Sequence, residues 1–89
     1  MLQKDITIIN KLGLHARAAA KFVTLASQFE SAIQVARNGQ KVNGKSIMGV
    51  MMLAASKGTI LTVSADGPDE EAALAQIEAL IQDRFQEAE

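Results

Sequence analysis

The sequence predicts an α+β fold, an open-faced two-layer sandwich in which three helices cover one face of a four-stranded antiparallel sheet. Short runs rich in β-branched residues alternate with segments whose apolar residues recur at helical spacing, in the order β-α-β-β-α-β-α. The pair Asn38-Gly39 favours a tight type I′ hairpin between the second and third strands. A length of 89 residues suits one domain, residues 1–89.

The first half of the chain supplies three strands and one helix. The first strand is predicted over Gln3–Ile9, where isoleucine and threonine are concentrated. The first helix is predicted from Ala16 to about Gln28, with an apolar stripe at helical spacing made of Ala16, Ala19, Ala20, Val23 and Ala26. Ile33–Val35 and Lys41–Asn43 are the two arms of the predicted hairpin.

The second half supplies two helices and one strand. A helix is predicted from Ile47 to Ser56, with Ser46 as its N-cap, Gly58 as its stop and a buried stripe of Ile47, Val50, Met51 and Ala54. A strand follows over Thr59–Ala65, with Leu61, Val63 and Ala65 on one face.

The last helix has a clear predicted start, with Gly67 as its cap and Pro68 in its first position. Its buried stripe runs from Ala73 to Phe85, and residues 86–89 are expected to fray. These elements leave the strand order open, because a ferredoxin-like split βαβ shares the same leading pattern.

Composition excludes several classes of protein. The chain has no cysteine, which rules out disulfide scaffolds, thiolate metal sites and cysteine nucleophiles. A net charge of −1, three phenylalanines and no tyrosine or tryptophan argue against a nucleic-acid binder. No apolar stretch approaches the roughly 20 residues that a membrane span requires, and the first residues lack a signal-peptide layout. We therefore expect a cytoplasmic protein without membrane insertion.

His15 is the one histidine, and it lies at the predicted start of the first helix. The first backbone N–H groups of a helix lack intrahelical partners and sit at the positive end of the helix dipole, which favours anions and disfavours an imidazolium. A neutral imidazole there is a nucleophile beside a phosphate cradle. Arg17 adds a guanidinium that can bind phosphate oxygens through two bonds, and Gly13 permits a tight turn before the ring.

Two simpler interpretations of His15 compete with the nucleophile. A lone histidine is more often a helix-capping surface residue than a reactive one. A metal site is disfavoured, because the chain offers no second histidine and no cysteine as ligands. Position alone does not overturn the capping interpretation.

Two sequence blocks resemble one known family. The block Gly13-Leu14-His15-Ala16-Arg17-Ala18-Ala19-Ala20-Lys21-Phe22-Val23 resembles the phosphohistidine signature of the HPr family, the small phosphocarriers of the bacterial phosphotransferase system. The block Asn43-Gly44-Lys45-Ser46-Ile47-Met48-Gly49-Val50-Met51 is similar to that family's regulatory-serine region. With the element order and length, the resemblance covers nearly the whole chain.

The resemblance implies a strand order of 1-4-2-3 and a phosphocarrier that is not a turnover enzyme. It implies that His15 accepts a phosphoryl group on Nδ1 from phosphorylated enzyme I and passes it to an enzyme IIA protein. We expect Arg17 and the N–H groups of Ala16, Arg17 and Ala18 to hold the phosphoryl oxygens. No cofactor and no metal are expected, and the chain is expected to be a monomer.

Residue 18 departs from the family pattern, which usually has proline directly after the arginine. Alanine gives up the preorganisation that a fixed φ supplies, about 0.4–1 kcal/mol. It also restores a backbone N–H that can reach a phosphate. We therefore expect Ala18→Pro to raise the melting temperature and to leave phosphoryl transfer intact.

Ser46 has two compatible interpretations. Its position predicts an N-cap, and the resemblance implies phosphorylation by an HPr kinase/phosphorylase. A phosphate there would place negative charge on the docking face and repel acidic partners. Partner docking is predicted for an apolar patch ringed by basic residues, namely Lys21, Lys45, Ile47, Met48 and Met51.

Other functions stay open at this point. The sugar-uptake carrier and the nitrogen-related (NPr) regulatory carrier are two branches of the same family. A ferredoxin-like ligand-binding regulatory module with an incidental His15 is an alternative of a different class. Phosphorylation of His15 by enzyme I and phosphoenolpyruvate would distinguish a carrier from that module.

Overall fold

Four strands form one sheet in the computed structural model, which describes all 89 residues. The strands are β1 (Leu2–Thr7), β2 (Ala32–Arg37), β3 (Gln40–Asn43) and β4 (Ile60–Asp66). Their order is β1-β4-β2-β3, and each neighbouring pair is antiparallel. This order confirms the prediction made from the family resemblance.

Three helices cover the apolar face of the sheet, and together these layers confirm the predicted open-faced sandwich. The helices are α1 (Ala16–Ala26), α2 (Ile47–Met52) and α3 (Glu70–Gln82). α3 packs on β1 and β4, and α1 packs on both other helices. The strands contribute alternating buried residues to the core, namely Ile6, Ile33, Val35, Leu61, Val63 and Ala65. None of the helices has the length and hydropathy that crossing a bilayer requires.

The hairpin between β2 and β3 forms as the sequence predicted. Asn38 and Gly39 have φ values of 50° and 82°, the left-handed pair that a type I′ turn needs. Arg37 and Gln40 face each other across the turn. The turn therefore sets the register of edge strand β3.

The predicted stripe of α1 was partly wrong. The fully buried positions of the helix are Ala18, Ala19, Phe22 and Ala26. Ala16 is exposed, whereas Ala20 and Val23 are half-buried. The apolar face is rotated toward the bulky Phe22, which fills more of the core than alanine can.

The second helix is shorter than predicted, and its expected stripe was largely wrong. α2 ends at Met52, and Ala54 adopts a left-handed φ of 50°. The Arg37 guanidinium donates to the carbonyls of Leu53 and Ala54, at 2.7 and 3.0 Å, and so satisfies the end of the helix. Val50 is the one fully buried residue of α2.

The start of α3 was also misplaced. The helix begins at Glu70, so Pro68 precedes it and Asp69 occupies the N-cap position. The Asp69 carboxylate accepts from the Glu30 and Ser31 amides, at 2.9 and 3.0 Å, instead of capping its own helix. These bonds, and above all the one from the Ser31 hydroxyl, lower the pKa of Asp69. Glu70 accepts from the Gly67 N–H at 3.1 Å and closes the helix entry.

The C-terminal tail, residues 84–89, is hydrogen-bonded to the rest of the molecule, so the prediction that residues 86–89 fray was wrong. Arg84, Phe85 and Gln86 have left-handed φ values of 55°, 53° and 64°, which turn the chain back over the molecule. Phe85 is fully buried in the core. The left-handed backbone costs of order 1–2 kcal/mol per residue, and the buried ring offsets much of that cost.

Candidate functional site

His15 is the N-cap of α1, where the loop after β1 enters the helix. Its Nδ1 atom accepts a hydrogen bond from the Arg17 N–H at 3.3 Å. The side chain is 28% exposed, so one edge of the ring is open to solvent. The imidazole therefore lies at the positive end of the helix dipole, with a ring nitrogen directed at a helix amide.

The loop before His15 is fixed by close backbone contacts. Gly13 has a φ of +68°, and a Cβ at this position would lie 2.6 Å from the Ala55 carbonyl oxygen. The Leu14 N–H donates to the same oxygen at 2.8 Å. Glycine is required both for the left-handed backbone and for this close approach. The loop is thereby tied to the segment that follows α2.

The first turn of α1 offers unpaired amide groups. The N–H groups of Ala16 and Ala18 make no hydrogen bond, and that of Arg17 is directed at the His15 ring. An anion beside Nδ1 would find these donors and the helix dipole together. The three amide residues expected to hold phosphoryl oxygens thus lie in one turn beside the ring.

The two basic side chains of α1 have different environments. The exposed Arg17 guanidinium makes no hydrogen bond or ion pair within the chain, and it lines a cleft with Lys21 and Gln86. Lys21 is half-buried, and its Nζ donates to the Phe85 carbonyl at 2.7 Å. Arg17 is therefore free to bind an anion, whereas Lys21 also holds the C-terminal tail.

Two residues that the sequence analysis did not select contact the histidine site. The His15 Nε2 atom is hydrogen-bonded to Oε2 of Glu87 in the C-terminal tail. The other oxygen of Glu87 accepts from the Asn10 side-chain amide at 2.9 Å. Asn10 is fully buried and also donates to the Gly13 carbonyl at 2.8 Å. These bonds hold the ring between the tail and the loop.

One sequence signal could have revealed the tail contact. Phe85 continues the apolar stripe beyond the end of the helix, which indicates that the neighbouring tail residues are held against the core.

Hydrogen bonds from Asn10, and next from His15, hold the pKa of the Glu87 carboxyl below its ordinary value. The positive charge of Lys21 acts in the same direction. Glu87 is therefore a stable carboxylate beside the ring.

The predicted regulatory and docking residues lie on α2 or just before it, except Lys21, which lies on α1. Ser46 caps the helix, and its hydroxyl accepts from the Gly49 N–H at 3.2 Å. The predicted burial of Ile47 and Met51 is wrong, since each is 40% exposed, and Met48 is 69% exposed. These side chains form the apolar patch, which we define as Ile47, Met48, Met51 and Met52. Lys45 is half-buried and donates to the Phe29 carbonyl at 2.7 Å.

The histidine loop is contacted by the segment that follows α2. The segment after Met52 contacts Gly13 and Leu14, whereas Ser46 lies at the opposite end of the helix. No three His, Cys, Asp or Glu side chains lie together in a group that could hold a metal ion. The arrangement can receive an anion at His15 and an apolar partner surface beside it.

Comparison with models of known protein families identifies a family whose match includes His15. Residues 2–83 match the family model described as the HPr component phosphorylation site of the phosphotransferase system (PTS). The chain therefore belongs to the HPr family, the phosphocarriers of that system.

Individual relatives extend over the whole chain. The phosphocarrier protein HPr of Cupriavidus necator is 58% identical over 89 residues, all of both chains. That of Pseudomonas aeruginosa is 56% identical over 86 residues, 96% of each. A crystal structure of HPr from Thermoanaerobacter tengcongensis superposes with a TM-score of 0.96 at 48% identity over all of both chains. HPr of Bacillus anthracis gives a TM-score of 0.88 at 42% identity, covering 91% of this chain and 96% of the other.

Proposed function

We propose that His15 of this phosphocarrier accepts a phosphoryl group on Nδ1 from phosphorylated enzyme I and donates it to enzyme IIA proteins. The observation that carries the proposal is the direction of Nδ1 toward the first turn of α1, where two amides are unpaired. A phosphoryl group on Nδ1 would lie at the positive end of the helix dipole, beside the first-turn amides.

Arg17 and the first-turn amides hold the phosphoryl oxygens in this proposal. The Arg17 guanidinium is exposed and unpaired, so its reorientation toward a phosphate breaks no bond. Ala16 and Ala18 supply N–H donors on the same side of the helix start. Only modest stabilisation of the phosphorylated His15 suits a carrier, because a phosphoryl group that is bound too tightly would not be transferred to the acceptor.

Phosphorylation from labelled phosphoenolpyruvate tests the proposal. The chain is incubated with enzyme I and ³²P-phosphoenolpyruvate, and the label is assayed for stability in acid and alkali. We expect one acid-labile, alkali-stable phosphate that His15→Ala abolishes and Arg17→Gln reduces. A label that persists in His15→Ala contradicts the assignment.

Partner docking is assigned to the apolar patch together with the basic residues Lys21 and Lys45. Flexible methionine side chains suit a surface that binds a donor and several acceptors in turn. Met48→Asp should weaken transfer in both directions and leave the His15 phosphate chemically stable. The matched control is Ile60→Asp, which changes an exposed apolar residue of β4.

Regulation at Ser46 by an HPr kinase/phosphorylase is the second part of the proposal. The hydroxyl already faces the α2 amides, so a phosphate there keeps the helix cap and adds negative charge beside the apolar patch. Ser46→Asp should slow phosphoryl transfer from enzyme I, whereas Ser46→Ala should not. Equal transfer rates in the two variants would contradict a regulatory role for the charge.

The branch of the family, the cellular location and the oligomeric state are the remaining parts of the proposal. Those at 58% and 56% identity are named HPr, which favours the sugar-uptake branch over the nitrogen-related branch. We assign residues 1–89 to one cytoplasmic, monomeric carrier domain without a turnover reaction of its own. A crystal structure of HPr from Thermoanaerobacter tengcongensis is titled a dimer, so sedimentation of the phosphorylated and free chains tests the monomer.

A further inference from the structure

Five groups near the site form a continuous hydrogen-bonded series, which we call the Asn10–Glu87 relay. It runs from the Gly13 carbonyl through the side chains of Asn10, Glu87 and His15 to the Arg17 amide. The loop after β1, the C-terminal tail and the start of α1 each contribute to it. It connects residues that lie 77 and 72 positions apart in the chain.

The two ends of the relay fix the direction of every bond. The Gly13 carbonyl can only accept, so the Asn10 amide must present its NH₂ group there. The second hydrogen of that NH₂ goes to Glu87, whose carboxylate only accepts. The Arg17 backbone amide can only donate, so Nδ1 of His15 must carry its lone pair.

These directions leave one arrangement for the imidazole. Nε2 carries the hydrogen and donates it to Glu87, while Nδ1 is unprotonated and faces the helix. We propose that Glu87, held by Asn10, is a positioning residue that fixes this tautomer of His15 and balances the charge that the ring gains during phosphoryl transfer. The inference rests on the proposed function and adds two residues to its mechanism.

The transfer step then needs no proton movement at Nδ1. The hydrogen bond from the Arg17 N–H to Nδ1 breaks, and the Nδ1 lone pair forms the P–N bond. The bond from phosphorus to the donor atom breaks at the same time, and the donor atom keeps that electron pair. The ring retains its hydrogen on Nε2 and becomes formally cationic. The adjacent carboxylate stabilises this cation, as a carboxylate does behind a catalytic histidine, and the reverse step returns the ring to its neutral tautomer.

The position of Glu87 is held by the rest of the tail. The buried ring of Phe85, the Lys21 bond to the Phe85 carbonyl and the Lys11 amide bond to the Glu89 carbonyl, at 2.6 Å, fix the backbone on both sides. The Glu87 side chain is only 17% exposed. The left-handed turn over Arg84–Gln86 directly precedes Glu87, and unfavourable backbone of this kind often lies beside functional sites.

Glu87→Gln is the sharpest variant, because it keeps the shape, removes the negative charge and replaces one acceptor oxygen with an NH₂ donor. Asn10 still requires an acceptor, so the glutamine oxygen turns to Asn10 and its NH₂ faces Nε2. This NH₂ favours a ring hydrogen on Nδ1, the wrong nitrogen for attack, whereas the Arg17 amide still favours an unprotonated Nδ1. The partners of the ring then no longer specify one tautomer. Glu87→Asp retains a carboxylate and should restore part of the original state.

The test combines ¹⁵N NMR of the His15 ring with rates of phosphoryl uptake from enzyme I. In the unmodified chain we expect a protonated Nε2 and an unprotonated Nδ1. Glu87→Gln should raise the Nδ1-protonated fraction and slow uptake on the order of tenfold, with partial recovery in Glu87→Asp. Glu89→Gln, which changes an exposed tail carboxylate paired with Lys11, should leave both readouts unchanged.

The outcomes separate the relay from the carrier function. An unchanged ring tautomer and an unchanged rate in Glu87→Gln would overturn the positioning role. An unmodified chain whose tautomer responds to Glu87→Gln, yet whose His15 takes up no phosphoryl group, would overturn the proposed function and leave the relay intact.

Discussion

Asn10 and Glu87 place a hydrogen-bonded carboxylate beside the single histidine of the chain. The sequence indicated the His15 end of the site, because helix amides, Gly13 and Arg17 are all local to it. Glu87 lies 72 residues further on, and no local pattern connects it with the ring. That contact depends on where the tail turns back, which is set by tertiary packing and not by propensity.

The acid titration of Glu87 tests the contact at the tail. Its pKa lies below the ordinary value of 4.5 because the Asn10 amide, and next His15, donate to the ionised form. At pH values above 4.5 the ionised carboxylate therefore stabilises the docked tail. This stabilisation is lost as the pH falls through the lowered pKa that Glu87 has in the folded chain. NMR of the Glu87 carboxyl carbon and the Asn10 amide protons should show a shared midpoint below 4.5. A midpoint at or above 4.5 would contradict the contact.

Ala18→Pro tests the first turn of α1. The Ala18 N–H makes no hydrogen bond, so proline removes no bond and reduces the freedom of the unfolded chain. A gain of about 0.4–1 kcal/mol raises the melting temperature by roughly 2–8 °C in a domain of this size. Thermal melting and enzyme I transfer are measured on the same sample. Transfer is expected to persist, because the Arg17 guanidinium and the Ala16 and Arg17 amides remain, and loss of transfer in the stabilised variant would contradict this by showing that the Ala18 amide is needed.

The helices and strands were predictable in type and order, whereas several ends were not. Local patterns identified the hairpin at Asn38-Gly39 and the Ser46 cap correctly. The early end of α2 depends on the Arg37 guanidinium, which reaches its last carbonyls from β2. Asp69 likewise bonds to the loop before β2 instead of its own helix. These helix ends are fixed by hydrogen bonds to residues distant in the sequence, and the spacing of apolar residues does not predict such bonds.

Phe85→Ala tests whether the tail is an integral element of the fold. The ring is fully buried, so its removal should lower the free energy of unfolding by about 3–5 kcal/mol. It should also release Glu87 and raise the carboxyl titration toward its ordinary range. Gln86→Ala, at an exposed neighbouring position, should change neither quantity. Urea unfolding and the Glu87 titration provide the measurements, and a tail that stays docked in Phe85→Ala would contradict this account.

Across the whole molecule, the chain is nearly neutral, and the exposed Arg17 guanidinium is an unpaired positive charge at the site. The net charge is −1, so electrostatic steering toward acidic partners depends on Arg17 and its neighbours and not on the overall charge. One face of the sheet is open, and the site lies on the helical side of the molecule. His15 caps α1, the apolar patch lies on α2 and the tail follows α3. Composition argued against a nucleic-acid binder and a thiolate metal site and left a ferredoxin-like module open. The lysine bonds to the Phe85 and Phe29 carbonyls depend on tertiary structure, which the sequence pattern does not reveal.

Salt dependence of transfer tests this local steering. Raising the ionic strength from about 0.05 M to about 0.5 M should slow phosphoryl transfer from enzyme I by roughly threefold to tenfold. Lys41→Gln, on edge strand β3, should leave the dependence unchanged, whereas Arg17→Gln should flatten it. Stopped-flow transfer rates at several salt concentrations provide the measurement. A rate independent of salt would contradict electrostatic steering by the site.

The most direct test of the account is to locate phosphorus on the ring of the phosphorylated chain. The chain is labelled with ¹⁵N at histidine, phosphorylated with enzyme I and phosphoenolpyruvate, and examined for phosphorus–nitrogen coupling by NMR. We predict coupling to Nδ1 of His15, with the hydrogen retained on Nε2. Coupling to Nε2, or phosphate on any other residue, would contradict the orientation of the ring on which the account depends.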